Sequence, residues 1–236
     1  EMKISASNMP TPSQVASYAD PTTVLLLPAW VLIENVTPKS VDTLISDFVN
    51  KSPTNNTPAH ELSLSRFSQS EAPETIRDLK SKPCPHSVLI LLCSQGRRDA
   101  RCGQSAPLLR KEFERNLREY GLFRDLTDER PGGVGIFFIS HVGGHKYSAN
   151  VLIYRKDNPF GIDKIRQRPR TNESGSQPQQ EEIKRIKGAA QCIWLARVRP
   201  EHCQGIVKFT VRQGILVKPE KQLRGGFDRR QGLYSW

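Results

Sequence analysis

The chain has 236 residues, of which 36% are hydrophobic, and this suits one large domain or two small domains with cores of their own. Its most apolar window, Thr23 to Val36, is interrupted by Pro28 and is shorter than the roughly 20 residues that a membrane-spanning helix needs, so no transmembrane span is predicted. The net charge is +11, and the stretch from Lys164 to Trp236 carries 16 Lys and Arg against 6 Asp and Glu.

This basic last third has three interpretations. The first is a solvated face without a partner, and the second is a face that docks on an acidic protein surface. The third is nucleic-acid binding, which we do not expect, because the basic residues are not interleaved with the aromatic residues that stack on bases.

The five cysteines are too few and too irregularly spaced for a disulfide framework, so a reducing compartment is favoured. No CxxC pair is present, which excludes a thioredoxin-type dithiol motif. The sequence opens on Glu1 rather than Met, and its first residues give no argument about localisation.

In chain order, residues 1–20 are polar and are predicted to form a loose lead-in. Thr23 to Val36 predicts a buried strand that is broken at Pro28 and continues as a second strand. A helix follows, with Thr37 as its cap and Pro38 in its first turn. Its apolar residues fall on one face, which predicts a core-facing stripe: Val41, Leu44, Ile45, Phe48 and Val49. Residues 52–85 are predicted to be a linker with a short helix at 73–79.

The remainder predicts an α/β domain in the order strand, helix, strand, strand, strand, helix. The predicted strands are Ser87–Cys93, Gly135–Ser140, Asn150–Tyr154 and Cys192–Val198, and the predicted helices are Cys102–Tyr120 and Pro200–Gln213. This order resembles a thioredoxin-like sheet. We therefore predict a smaller α/β region with a linker at 1–80 and a larger domain at 81–236, with a mobile low-complexity insertion at 166–181.

Two spacings carry the chemistry: Cys93-x8-Cys102 and His141-x3-His145. Singly, each residue is ordinary, because a cysteine that ends an apolar strand usually packs as a small hydrophobic residue and a lone histidine is usually structural. The two glycines between the histidines favour a tight loop over a helix, and this lets both imidazoles face one metal. If the strands that end at Cys93 and before His141 are neighbours, all four side chains meet at one sheet edge.

The cysteine loop is rich in arginine. Arg97, Arg98 and Arg101, together with the start of a helix at Cys102, are expected to make an electropositive setting that favours the thiolate, the form that binds metals.

The metal is left open by the residues alone. Two thiolates and two imidazoles suit tetrahedral zinc, and they equally suit a 2Fe-2S cluster with two Cys on one iron and two His on the other. The pattern is not that of a Rieske protein, in which Cys and His alternate within each of two loops.

The motifs resemble those of the fungal sucrase/ferredoxin-like proteins, in particular the branch described as altered inheritance of mitochondria. The segments that carry the resemblance are Cys93 to Gly103, Ser140 to Lys146, Asn150 to Tyr154, Ile193 to Val198 and Leu223 to Phe227. The resemblance covers Ser87 to Trp236 well and Val24 to Val49 more loosely.

This resemblance implies a thioredoxin-like ferredoxin domain with a non-Rieske 2Fe-2S cluster bound by Cys93, Cys102, His141 and His145. It also implies single-electron transfer with a redox partner protein, and a mitochondrial location with the cytosol as the alternative. We expect an electron-transfer protein rather than an enzyme with its own substrate, since no carboxylate pair suggests glycoside cleavage. Because histidine has a second nitrogen, reduction is expected to be coupled to proton uptake.

Three cysteines and the C-terminus remain. Cys84 lies near His86 and is predicted to be a loop thiol rather than half of a spare metal pair, and Cys192 and Cys203 are predicted to be packing residues. Trp236 resembles the terminal tryptophan by which iron-sulfur clients reach their assembly machinery, with a frayed tail as the alternative. The alternative functions are a structural zinc protein with a basic binding face and a thiol oxidoreductase that uses these cysteines.

Overall fold

The structure is a computed structural model that describes residues 3–11, 17–58, 79–140, 147–163 and 188–231. In these ranges the strands are β1 (Thr22–Leu26), β2 (Val31–Val36), β3 (Lys80–Pro83), β4 (Val88–Cys93), β5 (Phe123–Arg124), β6 (Val134–Ile139), β7 (Val151–Arg155), β8 (Gln191–Leu195) and β9 (Leu223–Asp228). The helices are α1 (successive turns Pro38–Ser40, Val41–Thr43 and Leu44–Val49), α2 (Ala100–Glu119), α3 (Pro200–His202, Cys203–Gly205 and Ile206–Val211) and α4 (Pro219–Gln222).

A three-stranded antiparallel sheet is formed by β1, β2 and β3. The predicted break at Pro28 is confirmed, because the chain turns there and the Trp30 N–H donates to the Leu26 carbonyl at 2.9 Å. The predicted linker is wrong in its last part, since Lys80–Pro83 is a strand that pairs with β2. The helix predicted at 73–79 lies outside the described residues except for its last position.

Helix α1 begins at the predicted place, where the Ser40 hydroxyl accepts the Thr37 N–H at 2.9 Å. Its apolar stripe is narrower than predicted. Leu44 is buried, whereas Val41 and Ile45 are 39% and 38% exposed. The last turn is wide, because the Asn50 N–H donates to the Ile45 carbonyl, five residues before it. The side chains of this turn therefore point in different directions from those of a regular α-helix.

A six-stranded sheet in the order β5-β6-β4-β7-β8-β9 forms the larger part of the protein. Strand β4 is parallel to β6, its other neighbour β7 is antiparallel, and β8 is antiparallel to β7. With α2 connecting β4 to β6, the architecture is mixed α/β and compatible with the predicted thioredoxin-like fold. The outer strands β5 and β9 were not predicted, because β5 has only two residues and β9 contains two glycines.

Both faces of the large sheet are covered, as the continuous apolar run of β4 predicted. Helices α2 and α3 cover one face, where Phe113 of α2 is fully buried. The other face packs against Trp30 and Leu32 from the small sheet. Residues on both sides of position 80 therefore contribute to one core, and the division into regions 1–80 and 81–236 stays a prediction. The insertion predicted at 166–181 lies outside the described residues.

Several strands begin or end at the same end of the large sheet, which we call the sheet edge. Strands β4, β6 and β8 finish there, β7 and β9 start there, and α2 begins beside them. Because parallel neighbours end together, the residues that follow β4 and β6 leave the sheet side by side. Over the described parts of the chain, no helix is long and apolar enough to cross a bilayer.

Candidate metal centre

Cys93 is the last residue of β4, and the register places it directly beside Ile139 of β6. Its N–H donates to the Asn150 carbonyl at 3.1 Å, and its Sγ donates to the Ser140 carbonyl at 3.3 Å. The side chain is buried. The sulfur is thus fixed at the point where two parallel strands end, as the sequence predicted for neighbouring strands.

Cys102 lies in the first turn of α2, which begins after Asp99, whose side chain accepts the Arg101 N–H at 3.0 Å. The Cys102 side chain is buried beside that of Cys93. The backbone of Asn150 lies near it as well. The two predicted cysteine ligands are therefore brought close together, although eight residues separate them in the chain.

The expected thiolate-favouring environment at Cys102 is wrong. Burial, followed by the charge and hydrogen bond of Cys93 and the charge of Asp99, raises the pKa of Cys102 to about 12. Arg101 does not offset this, because its guanidinium binds Asp99 at 2.9 Å. Arg97 and Arg98 are exposed.

His141 and His145, the other two predicted ligands, lie outside the described residues. The residue before them, Ser140, is held on several sides. Its N–H donates to the Ala6 carbonyl at 2.8 Å, its hydroxyl accepts the Ala6 N–H at 3.0 Å, and its carbonyl accepts from Cys93. The chain therefore continues toward His141 from a fixed point beside Cys93.

The N-terminal segment supplies this support, and the prediction of a loose lead-in at 1–20 missed it. Ser7 bridges Ile139 in antiparallel fashion, and the Asn8 side chain accepts the Phe138 N–H at 2.8 Å. The segment thus extends the sheet along the end of β6, on the edge away from β4. Its polar sequence has no alternating apolar pattern, so nothing in it indicates a strand pairing.

Asn150 connects the cysteine pair with Trp194 of β8. It is 2% exposed, its backbone carbonyl accepts the Cys93 N–H at 3.1 Å, and its backbone lies near the Cys102 side chain. Its side-chain oxygen accepts the indole N–H of Trp194 at 3.1 Å. Asn150 therefore fixes the backbone at Cys93, and Trp194 in turn fixes the side chain of Asn150.

Two glycines let the cysteine loop fold back on the start of α2. A Cβ at Gly103 would lie 2.7 Å from the Gly96 Cα, closer than packed atoms approach. Backbone cannot yield as a flexible side chain can, so a side chain at position 103 has to push the loop away. Gly103 thus lets the loop that follows Cys93 pack against the first turn of α2, which carries Cys102.

We expect Gly103→Ala to weaken metal binding by the cysteine pair, even though alanine favours a helix by about 1 kcal/mol over glycine. Titration of metal-free protein with Cd²⁺, followed by the ultraviolet absorption of Cd²⁺-thiolate bonds, measures this. Gly205→Ala in α3 is the matched control, because a Cβ there meets nothing within 4 Å. Equal Cd²⁺ affinities in the two variants would contradict this account of Gly103.

The other cysteines and His86 have structural positions. Cys84 lies in the loop between β3 and β4, as predicted, and it is buried there, which raises its pKa to about 11. The packing roles predicted for Cys192 and Cys203 are confirmed by their burial, and the pKa of each is raised to about 12. Burial lowers the pKa of His86 to about 4, and its ring packs against Phe137. Among the described residues, no group of three or more His, Cys, Asp or Glu is placed to hold a metal.

The buried His86 predicts a pH-dependent stability. Its pKa is lower in the folded state than the unfolded value of 6.5, so the unfolded chain takes up a proton first as the pH falls. The free energy of unfolding is expected to fall by about 3 kcal/mol between pH 6.5 and pH 4 because of this group. Urea unfolding of the wild type and His86→Gln over this range measures the difference. Parallel pH profiles of the two proteins would show that His86 titrates normally.

Comparison with known proteins places these features in a family. The sucrase/ferredoxin-like family model matches residues 1–225. Actin patches distal protein 1 of Saccharomyces cerevisiae is 50% identical over 70 residues, which are 30% of this chain and 22% of that protein. Altered inheritance of mitochondria protein 32 of Clavispora lusitaniae is 32% identical over 133 residues, 56% of this chain and 33% of that protein.

The protein of the same name from Debaryomyces hansenii is 33% identical over 130 residues, 55% of this chain and 33% of its own length. The aligned regions thus span between 22% and 33% of these three curated relatives. No solved structure matches the chain. Since the family model covers nearly all of the sequence, including the cysteine pair and the histidine pair, the chain belongs to the sucrase/ferredoxin-like family.

Proposed function

We propose that this protein transfers single electrons through a 2Fe-2S cluster bound by Cys93, Cys102, His141 and His145. One observation carries the proposal. The buried side chains of Cys93 and Cys102 are neighbours at the sheet edge, and the carbonyl of Ser140, the residue before His141, lies 3.3 Å from the Cys93 sulfur.

The donor set suits such a cluster. Consecutive Cα atoms are about 3.8 Å apart, so His141, the residue after Ser140, is within short reach of the Cys93 sulfur. Two thiolates and two imidazoles are a known ligand set for 2Fe-2S clusters. Burial of both sulfurs keeps water away from them, and buried sulfur ligands are typical of redox centres of this kind.

The cluster, when bound, supplies a one-electron couple. Two ferric ions, two sulfides and two thiolates carry a formal charge of about zero, compared with about −2 for four thiolates, so an electron is added more easily. The backbone N–H of Asn150 lies near Cys102 and favours negative charge on its sulfur. The second nitrogen of each imidazole can take up a proton from solvent on reduction.

The family and the names of the relatives support the general part of the proposal, namely a ferredoxin-like protein associated with mitochondria. The family is described as sucrase/ferredoxin-like, and ferredoxins are electron carriers. Relatives named for altered inheritance of mitochondria support a mitochondrial location for this protein, with the cytosol as the alternative. Trp236, with an assembly signal and a frayed tail as its two alternatives, lies outside the described residues, and both alternatives stay predictions. Burial and the raised pKa values of Cys84, Cys192 and Cys203 weigh against a thiol oxidoreductase.

Anaerobic purification tests the proposal against the zinc alternative. The protein is expected to be coloured and to contain two irons and two acid-labile sulfides per chain, as the 2Fe-2S formula requires. Cys93→Ser and Cys102→Ser are expected to lose the colour, while Cys203→Ser, at a buried cysteine away from the sheet edge, retains it. A colourless protein with one zinc per chain would refute the proposal.

Potentiometric titration of the same preparation tests the histidine ligands. The midpoint potential is expected above the roughly −400 mV of plant-type ferredoxins, and His145→Cys is expected to lower it. Over the pH range in which an imidazole titrates, the wild-type potential is expected to fall by up to about 59 mV per pH unit, the value for one proton per electron. An unchanged potential in His145→Cys would remove His145 from the ligand set.

A further inference from the structure

A cluster of cationic and aromatic side chains lies at the same sheet edge as the cysteine pair. The guanidinium of Arg224 lies over both Tyr147 and Trp194, with ring-centroid distances of 4.6 and 4.8 Å. Arg197 also lies over Tyr147, at 4.8 Å, and the Lys3 ammonium lies 5.8 Å from the Trp194 ring. We call these five residues, Lys3, Tyr147, Trp194, Arg197 and Arg224, the arginine-aromatic surface.

This surface is connected to the metal centre through Asn150. The Trp194 indole donates to the Asn150 side chain at 3.1 Å, and the Asn150 carbonyl accepts the backbone N–H of Cys93 at 3.1 Å. A single residue thus separates the half-buried tryptophan from Cys93. Electron transfer needs such closeness between a buried centre and the surface that a partner contacts.

The charge of the surface is positive and partly exposed. Arg197 and Lys3 are exposed, and Arg97 and Arg98, on the cysteine loop, add two further exposed cations at the same edge. Cations held over aromatic rings keep their charge and lose little freedom on binding, because the rings already restrict them. A surface of this kind attracts acidic proteins and speeds their association.

Single-stranded nucleic acid is the other polyanion to consider. It binds by stacking its bases on aromatic side chains. On this surface, however, both rings already have cations over them, two guanidinium groups at Tyr147 and one guanidinium and one ammonium at Trp194. The geometry therefore favours charge attraction over base stacking.

We propose that the arginine-aromatic surface is the docking site for an acidic electron-transfer protein, and that Trp194 and Asn150 form the hydrogen-bonded route between this partner and the metal centre. The proposal rests on the proposed function. In the transfer, one electron leaves the reduced partner, which becomes oxidised, and enters the oxidised centre held by Cys93 and Cys102. Any proton taken up by a ligand histidine comes from solvent.

A strongly acidic plant-type ferredoxin is a suitable probe, since its low potential makes it an electron donor to this centre. The docking variant is Arg197→Asp/Arg224→Glu. Aspartate is chosen at position 197 because Arg197 has φ of 54°, a left-handed conformation that Asp tolerates better than most residues.

The matched control is Lys208→Glu/Arg212→Glu. Lys208 and Arg212 also lie over aromatic rings, at 5.2 and 3.9 Å. They are far from the site, because the Arg212 carbonyl binds Arg155 at the opposite end of β7. Each double variant replaces two cations by two anions, so both change the net charge from +11 by four units, to +7.

Two readouts are measured at low ionic strength: the affinity for oxidised ferredoxin by calorimetry, and the rate of electron transfer from reduced ferredoxin by stopped flow. The docking variant is expected to lose roughly ten-fold or more in both, whereas the control changes by less than about two-fold. Reduction by the methyl viologen radical cation, which needs no acidic docking site, is not expected to slow in either variant.

Trp194→Phe tests the route separately from docking. It keeps a ring for the cations but removes the indole N–H that binds Asn150. At ferredoxin concentrations that saturate each protein, so that a change in affinity does not affect the result, the electron-transfer rate of the variant is expected to be several-fold lower than that of the wild type. An unchanged rate would overturn the route.

If the docking variant and the control lose equally in ferredoxin affinity and in electron-transfer rate, only the net charge matters and the docking site is overturned. Nucleic acid is the alternative partner, and a single-stranded oligonucleotide at physiological salt tests it. If the wild type and the control bind the oligonucleotide, the docking variant does not, and all three bind ferredoxin equally, the docking site for an acidic protein is overturned in favour of nucleic acid. The visible absorption of each protein reports the cluster itself. A protein without that absorption contradicts the proposed function, whereas the calorimetric affinity still decides the docking site.

Discussion

The parallel pairing of β4 with β6 is the constraint on which the candidate centre depends. Register places Cys93 beside Ile139, so the first residues beyond both strands emerge together at one edge. Both strands are almost fully buried, and a shift by one residue would turn every apolar side chain of β4 to the other face. The core that stabilises the fold therefore also fixes the points from which the chain continues toward Cys102 and toward His141.

Around this edge, separate parts of the chain contribute short polar contacts. The segment at Ala6 to Asn8 holds the end of β6, and the Asn150 carbonyl accepts the Cys93 N–H. Gly103 lets the loop pack closely on α2. Because Asn150 also accepts the Trp194 hydrogen bond, Cys93 and the cationic surface share one positioning residue. This arrangement connects a water-excluded centre with a surface suited to an acidic protein.

Sequence patterns predicted the central elements because their signals are local. The apolar run of β4, the helical spacing of α2 and the paired Cys and His spacings can all be read within a few residues. The pairing of Lys80–Pro83 with β2, and of Ser7 with Ile139, depends on partners more than 45 residues away, and polar sequences give no sign of it. The thiolate expectation at Cys102 failed because Asp99 binds Arg101 and burial dominates the pKa, which loop composition cannot reveal.

The central claim is that two histidine nitrogens join the two cysteine sulfurs on one cluster, and pulsed electron paramagnetic resonance of the reduced protein tests it most directly. With histidine labelled by ¹⁵N, the account predicts a paramagnetic signal coupled to two histidine nitrogens, one of which disappears in His145→Cys. A signal without histidine nitrogen coupling, or no paramagnetic signal in a protein that contains zinc, would contradict it.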